Sequence, residues 1–101
     1  KLAEEEARVL VGDELEPSAL MALGVREVVV TLGSRGSLVI AGGQAERVPA
    51  VPVRGVVDTT GAGDAFAVAY LVARSGGQPP AAAARRASQV VAGMLTGRGA
   101  A

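Results

Sequence analysis

Seven consecutive residues, Asp58-Thr59-Thr60-Gly61-Ala62-Gly63-Asp64, have the types and spacing from which this sequence could build a reaction. Gly61 and Gly63 lack a Cβ, so a turn there can take positive φ and let a ligand approach the main chain closely. The apolar run at 65–73 reads as a helix. Its first N–H groups have no partner within the helix, and with the helix dipole they make an anion site suited to a phosphate. Asp64 inside that turn is the informative residue. It would repel a phosphate held statically, whereas a phosphoryl group in transit needs a carboxylate to accept the proton of the attacking hydroxyl. The plainer alternative is that Asp64 caps the helix and the glycines only make a turn.

The rest of the composition narrows the chemistry. There is no His and no Cys. That removes a disulfide scaffold, a thiolate zinc site, a cysteine nucleophile and the commonest general base, and leaves acid–base work to carboxylates. Without His no Ser–His pair can form, and no paired-carboxylate spacing stands out, so acyl transfer and hydrolysis are not supported. Walker A would need Gly-Lys-Ser/Thr, and Lys1 is the sole lysine. A dinucleotide fingerprint would want Gly or Ala where Phe66 stands. Ten basic residues balance ten acidic ones, and Phe66 and Tyr70 are the only aromatics, which argues against nucleic acid as a partner. Half the residues are hydrophobic, yet no apolar run approaches the ~18 residues of a membrane span. The expectation is a soluble, cytoplasmic protein without a membrane partner.

These residues need elements to hold them. Glu4-Glu5-Glu6-Ala7-Arg8 reads as the wet face of a helix, with Glu4 and Arg8 spaced for an i,i+4 pair. Ala3, Ala7, Leu10 and Val11 form its buried stripe and Gly12 its stop. Pro17 opens a short second helix that carries Leu20 and Leu23 and ends at Gly24. Val28-Val29-Val30 is an unbroken β-branched run, which fits a strand covered on both faces, as in parallel sheets. Leu38-Val39-Ile40 repeats the pattern, and Gly42-Gly43 predicts a tight hairpin into a strand ending at Val48. Pro49 and Pro52 demote the next stretch to an edge or loop. Val56-Val57 reads as a brief strand leading into Asp58. The run at 65–73 is apolar all round and predicts a buried helix. Pro79-Pro80 opens a last helix, in which Ala83, Ala84, Ala87, Val90, Val91, Met94 and Leu95 recur at 3 and 4. The order helix–helix–strand–strand–strand–helix–helix predicts an α/β fold with helices packed around a sheet.

The stretch at 58–66, closing on Ala65-Phe66, resembles in full the C-terminal signature of the ribokinase-like (PfkB) carbohydrate kinases. Val30-Thr31-Leu32-Gly33-Ser34-Arg35-Gly36 resembles the family's strand and turn that border the nucleotide. The run from Ala87-Ser88 to Thr96 and Gly99-Ala100 is similar to its last nucleotide-side helix. The resemblance implies the C-terminal portion of a three-layer α/β/α sandwich. It also implies a transferase that moves the γ-phosphoryl of ATP to a hydroxyl of a sugar or sugar-like small molecule. By it Asp64 is the catalytic base, and the backbone amides of Gly61, Ala62 and Gly63 form the anion hole. Thr31, Gly33, Gly36 and Ser88 would lie against the nucleotide, although a strand Thr and a helix Ser are each readable as structural alone. Mg²⁺ would bridge the phosphates, and Asp58 lies where some members hold a monovalent cation such as K⁺. Glu6 falls where the family's Asn-x-x-Glu element places a magnesium-holding acid. Ala3 stands in place of the Asn, however, and a solvated Glu run accounts for the same residues.

Family kinases are roughly three times this length, and nothing here resembles their N-terminal sugar-binding and lid part. With Lys1 rather than Met as the first residue, residues 1–101 are expected to form a single nucleotide-side segment of a longer parent. That parent would be a homodimeric sugar kinase, while the isolated segment turns over little or nothing. One alternative is a non-catalytic nucleotide-binding or regulatory module with the same fold. Another is a plain α/β interaction domain in which the glycine turn is only a turn.

Overall fold

The structure is a computed structural model, and it describes residues 1–53 and 58–99. Strand β2 (Glu27–Thr31) organises the rest. A side-chain period of two sends Val28 and Val30 to one face and Val29 to the other, and all three are buried. β3 (Ser37–Ala41) pairs antiparallel with β2, setting Val39 opposite Val29 and Ile40 opposite Val28. β4 (Gln44–Val48) returns antiparallel along β3 through Gly42-Gly43, whose φ angles of 59° and 77° are those of a type I′ hairpin turn. The hairpin expected from that glycine pair is present. On the other side of β2, β1 (Leu2–Ala3) adds in parallel with Leu2 opposite Val30, giving the order β1-β2-β3-β4.

Helices cover both faces. α1 (Glu4–Val11) and α2 (Pro17–Met21) bring Ala7 and Leu20 into one core with Val28, Val30 and Ile40. α3 (Ala62–Ser75) and α4 (Pro80–Gly99) bring Phe66, Tyr70, Ala83, Ala84 and Ala87 into a second core with Val29, Val39 and Val48. The short side chains of Ala83, Ala84 and Ala87, all fully buried, let α4 lie close against its neighbours. Phe66 and Tyr70, one turn apart on α3, stack with ring centroids 6.3 Å apart. The architecture is the expected α/β/α layering.

The structure departs from the sequence expectation in several places. Ala3 does not begin the α1 stripe; it closes β1, a two-residue strand too short to show any periodicity. Leu10 is exposed, because α1 meets the core through Ala7 and Val11 and no described residue covers the flank that Leu10 occupies. Leu23 lies beyond the end of α2 and is also exposed. The valine run is covered on both faces as expected, yet among the described residues only the β1–β2 pairing is parallel. Val90 on α4 is part-exposed. The largest correction concerns α3: Val68, Leu71 and Val72 are 62–67% exposed, since no described layer lies outside that helix. The strand read at Val56-Val57 lies outside the described residues.

The turn between β2 and β3 is a short 3₁₀ segment (Gly33–Arg35) followed by Gly36 at φ 96°. A Cβ on Gly36 would stand 2.0 Å from the Val48 carbonyl oxygen, so the turn can tuck beneath the end of β4 only without a side chain. Gly42 also has a positive φ, 59°, but nothing within 4 Å of its added Cβ. Gly36→Ala should therefore cost about 3 kcal/mol, from backbone strain plus overpacking, against about 1 kcal/mol for Gly42→Ala. Urea midpoints of the two variants measure this, and equal losses would mean that the close approach to Val48 carries no weight.

Candidate functional site

A cleft of about 640 Å³ gathers residues from four places in the chain. Thr31 ends β2, Gly33 and Gly36 bound the 3₁₀ turn, Ala62 and Gly63 open α3, and Ser88 comes from α4. Phe66, Val91 and Leu95 give it an apolar wall. Six of the ten candidate residues thus share one cavity. Gly61, Asp64, Asp58 and Glu6 do not line it.

Gly61 is the N-cap of α3, in the left-handed conformation at φ 82°, and no side chain caps the helix. Asp64 is the third residue of the helix, so it does not occupy the capping position. The Ala62 amide donates to the Thr59 carbonyl at 3.0 Å and the Ala65 amide to the Gly61 carbonyl at 2.9 Å. Between them, the amides of Gly63 and Asp64 donate to no described residue. Of the amides expected to hold an anion, that of Ala62 is therefore engaged within the turn.

Charge is distributed about this turn in a definite way. A Cβ added to Gly63 would lie 3.3 Å from Lys1 Nζ, which puts the only ammonium side chain over the main chain of the turn. Sequence reasoning missed Lys1 as a site residue; its uniqueness in the chain was the available signal. Asp64 heads a second, open groove of about 720 Å³ along the outer side of α3 and α4, shared with Val68, Val72 and Val90. Its exposed carboxylate forms no ion pair with any described residue. Gly63 thus lines the cleft, whereas Asp64 lines the open groove.

Both candidate hydroxyls have partners inside the fold. Ser88 Oγ donates to the Ala84 carbonyl of its own helix at 3.0 Å, and Thr31 Oγ1 makes a long 3.5 Å contact with the Leu2 carbonyl. The two candidate metal ligands also serve the backbone. Glu6 Oε1 accepts the Ala3 amide at 2.8 Å, and Asp58 Oδ1 accepts the Thr60 amide at 2.9 Å. No cluster of three metal-ligating side chains exists among the described residues.

The 3₁₀ turn that borders the cleft is tied to α1 by charge. Glu4 accepts a short hydrogen bond from Arg35 and a second from Arg8 at 2.9 Å, and Arg8 also reaches the Asp13 carbonyl at 2.7 Å. Arg35, and after it Arg8, hold the Glu4 carboxyl below its ordinary value of 4.5.

The family model described as pfkB family carbohydrate kinase matches residues 1–101. The chain is 44% identical over 80 residues to the 2-dehydro-3-deoxygluconokinase of Escherichia coli (strain K12), covering 76% of this chain and 26% of that protein. It is 52% identical over 52 residues to a ribokinase of Arabidopsis thaliana, covering 50% of this chain and 14% of the other. The solved structure of Arabidopsis thaliana ribokinase complexed with ribose and ATP superposes with a TM-score of 0.81 at 33% identity, over 92% of this chain and 33% of that one. The chain spans about a third or less of the relatives it matches.

Because folding lowers the Glu4 pKa, the Glu4 contribution to stability is present above pH 4.5 and is lost as the pH falls through the lower folded-state value. Glu4→Gln should lower stability at neutral pH and flatten the wild-type decline below pH 4.5. Thermal melts of both proteins between pH 3 and 7, on the order of the carboxylate titration range, test this. Parallel curves would show that Glu4 is not a stabilising charge.

Proposed function

As this chain belongs to the pfkB family of carbohydrate kinases, we propose that it forms the nucleotide-side segment of an ATP-dependent kinase acting on a hydroxyl of a sugar or sugar-like small molecule. The supporting observation is the convergence of Thr31, Gly33, Gly36, Ala62, Gly63 and Ser88 on one cleft beside the open N-terminus of α3. Gly33 and Gly36 offer bare backbone on the 3₁₀ turn where a nucleotide would lie. The amides of Gly63 and Asp64, aligned with the helix dipole, hold the transferring group. Lys1 Nζ, over the same turn, offsets charge that spreads onto its equatorial oxygens.

Asp64 faces the opposite side, where an acceptor can approach without displacing the nucleotide. In the transfer, the acceptor oxygen bonds to the γ-phosphorus and the bond from that phosphorus to the β–γ bridging oxygen breaks. ADP leaves, and the acceptor proton passes to the Asp64 carboxylate. Glu6 would be the carboxylate donor to Mg²⁺, which would supply charge neutralisation when bound. Asp58 is the candidate for a monovalent cation. Ribose and 2-dehydro-3-deoxygluconate are the acceptors to try first, since relatives carry those names.

The test uses the polypeptide as its source cell makes it, with MgATP and each of these two acceptors. Asp64→Asn should lower kcat by about 10³-fold or more while ATP binding survives. Lys1→Met should lower kcat by about 10²-fold. Retained turnover in Asp64→Asn would remove the assigned base. Saturable ATP binding with no transfer to any acceptor would instead favour a non-catalytic nucleotide-binding module.

A further inference from the structure

Far from the cleft, one carboxylate joins the start of β2 to the last turns of α3. Glu27 Oε2 accepts the Tyr70 hydroxyl at 2.6 Å, and Arg74 Nε donates to Glu27 Oε1 and Oε2 at 3.1 and 3.2 Å. Arg74 Nη1 also donates to the Gln78 carbonyl at 3.0 Å, which anchors the guanidinium to the chain leaving α3. Tyr70 is buried, and the Glu27 and Arg74 side chains are partly buried. Burial, and after it Glu27, pushes the Tyr70 phenol above its ordinary value of 10.0, so it stays a donor.

This cluster has a mechanical consequence. β2 runs from Glu27 towards Thr31 at the cleft, and α3 runs from Gly63 and Asp64 at the turn back towards Arg74. The two elements are rods joined at the end remote from the site. Tyr70 lies about 9 Å along the helix from Asp64, and Glu27 about 13 Å along the strand from Thr31. α3 packs chiefly along α4 and shares a core with the sheet through Phe66 and Tyr70 near Val29. Apolar contact is non-directional and leaves sliding along the axis weakly opposed. Charge-assisted hydrogen bonds are directional and fix one register.

We propose that Glu27, Tyr70 and Arg74 are positioning residues that set the axial position of α3 on β2, and through it the placement of Asp64 and the Gly63 amide against the nucleotide cleft. The inference rests on the kinase reading above. The nucleotide-side candidates Thr31, Gly33, Gly36 and Ser88 lie on β2, the 3₁₀ turn and α4, outside α3 itself. Loss of the cluster should therefore appear in kcat and leave KM for ATP alone.

The experiment measures kcat per folded enzyme and KM for MgATP in the polypeptide as the source cell makes it, with ribose or 2-dehydro-3-deoxygluconate, whichever it phosphorylates faster. Tyr70→Phe, which keeps the ring in the core, should lower kcat about 10-fold with KM for ATP within about twofold of wild type. Arg74→Ala, at a half-exposed position, should do the same, and Glu27→Gln should lose less than Glu27→Ala. Wild-type kcat in both Tyr70→Phe and Arg74→Ala would overturn the proposal even if their melting temperatures fell. So would a rise in KM with kcat intact. If the wild type is active, Asp64→Asn is dead and the cluster variants match wild type, this inference alone fails. If the wild type transfers no phosphate, the kinase reading and this inference fall together.

Discussion

Val28, Val29 and Val30 can leave water together only if both faces of β2 are covered, and the rest of the fold depends on that requirement. Ala7 and Leu20 close one face, and Phe66, Tyr70 and the alanines of α4 close the other. A single sheet with helices on each side results, with the start of α3 on the Val29 side. In open α/β sheets ligands gather at the carboxyl ends of strands. Here that end is Thr31, and the cleft sits between it and the first residues of α3.

Glycine decides what the cleft can admit. Gly36 lets the 3₁₀ turn pass under the Val48 carbonyl, and Gly61 turns the chain into α3 through a left-handed N-cap. A side chain at Gly61 would have to adopt a conformation that L residues rarely take. The result is a helix start without a side-chain cap, where two amides have no described partner. Opposite charges then flank the turn, with the Lys1 ammonium over its main chain and the Asp64 carboxylate on the open side. Amides without a described partner and a carboxylate without a described ion pair thus coexist within four residues.

The remote carboxylate of Glu27 gives this arrangement its rigidity. Small apolar side chains dominate the α4 contact with its neighbours, and they specify distance better than register. Tyr70 and Arg74 add direction, since their donors must meet a carboxylate fixed on a strand. On the outer side of α3 the exposed Val68, Leu71 and Val72 have no described layer over them. This matches a chain that spans only about a third or less of its relatives' length.

The sequence by itself determined most of the elements and the candidate site residues. The valine run, the Gly42-Gly43 hairpin, Pro17, Pro80 and the glycine-flanked Asp64 each act through local conformational preference or side-chain type, which neighbouring residues suffice to express. It also placed Thr31, Gly33, Gly36 and Ser88 in one group, through motifs read by resemblance. Tertiary structure alone decided which face of α3 is buried, because an all-apolar helix carries no periodic signal to choose one. It likewise decided that a two-residue strand pairs with β2, that Lys1 lies over Gly63, and that Glu27 meets residues more than forty positions away. Those contacts depend on how separate elements are laid side by side, and no local spacing encodes that.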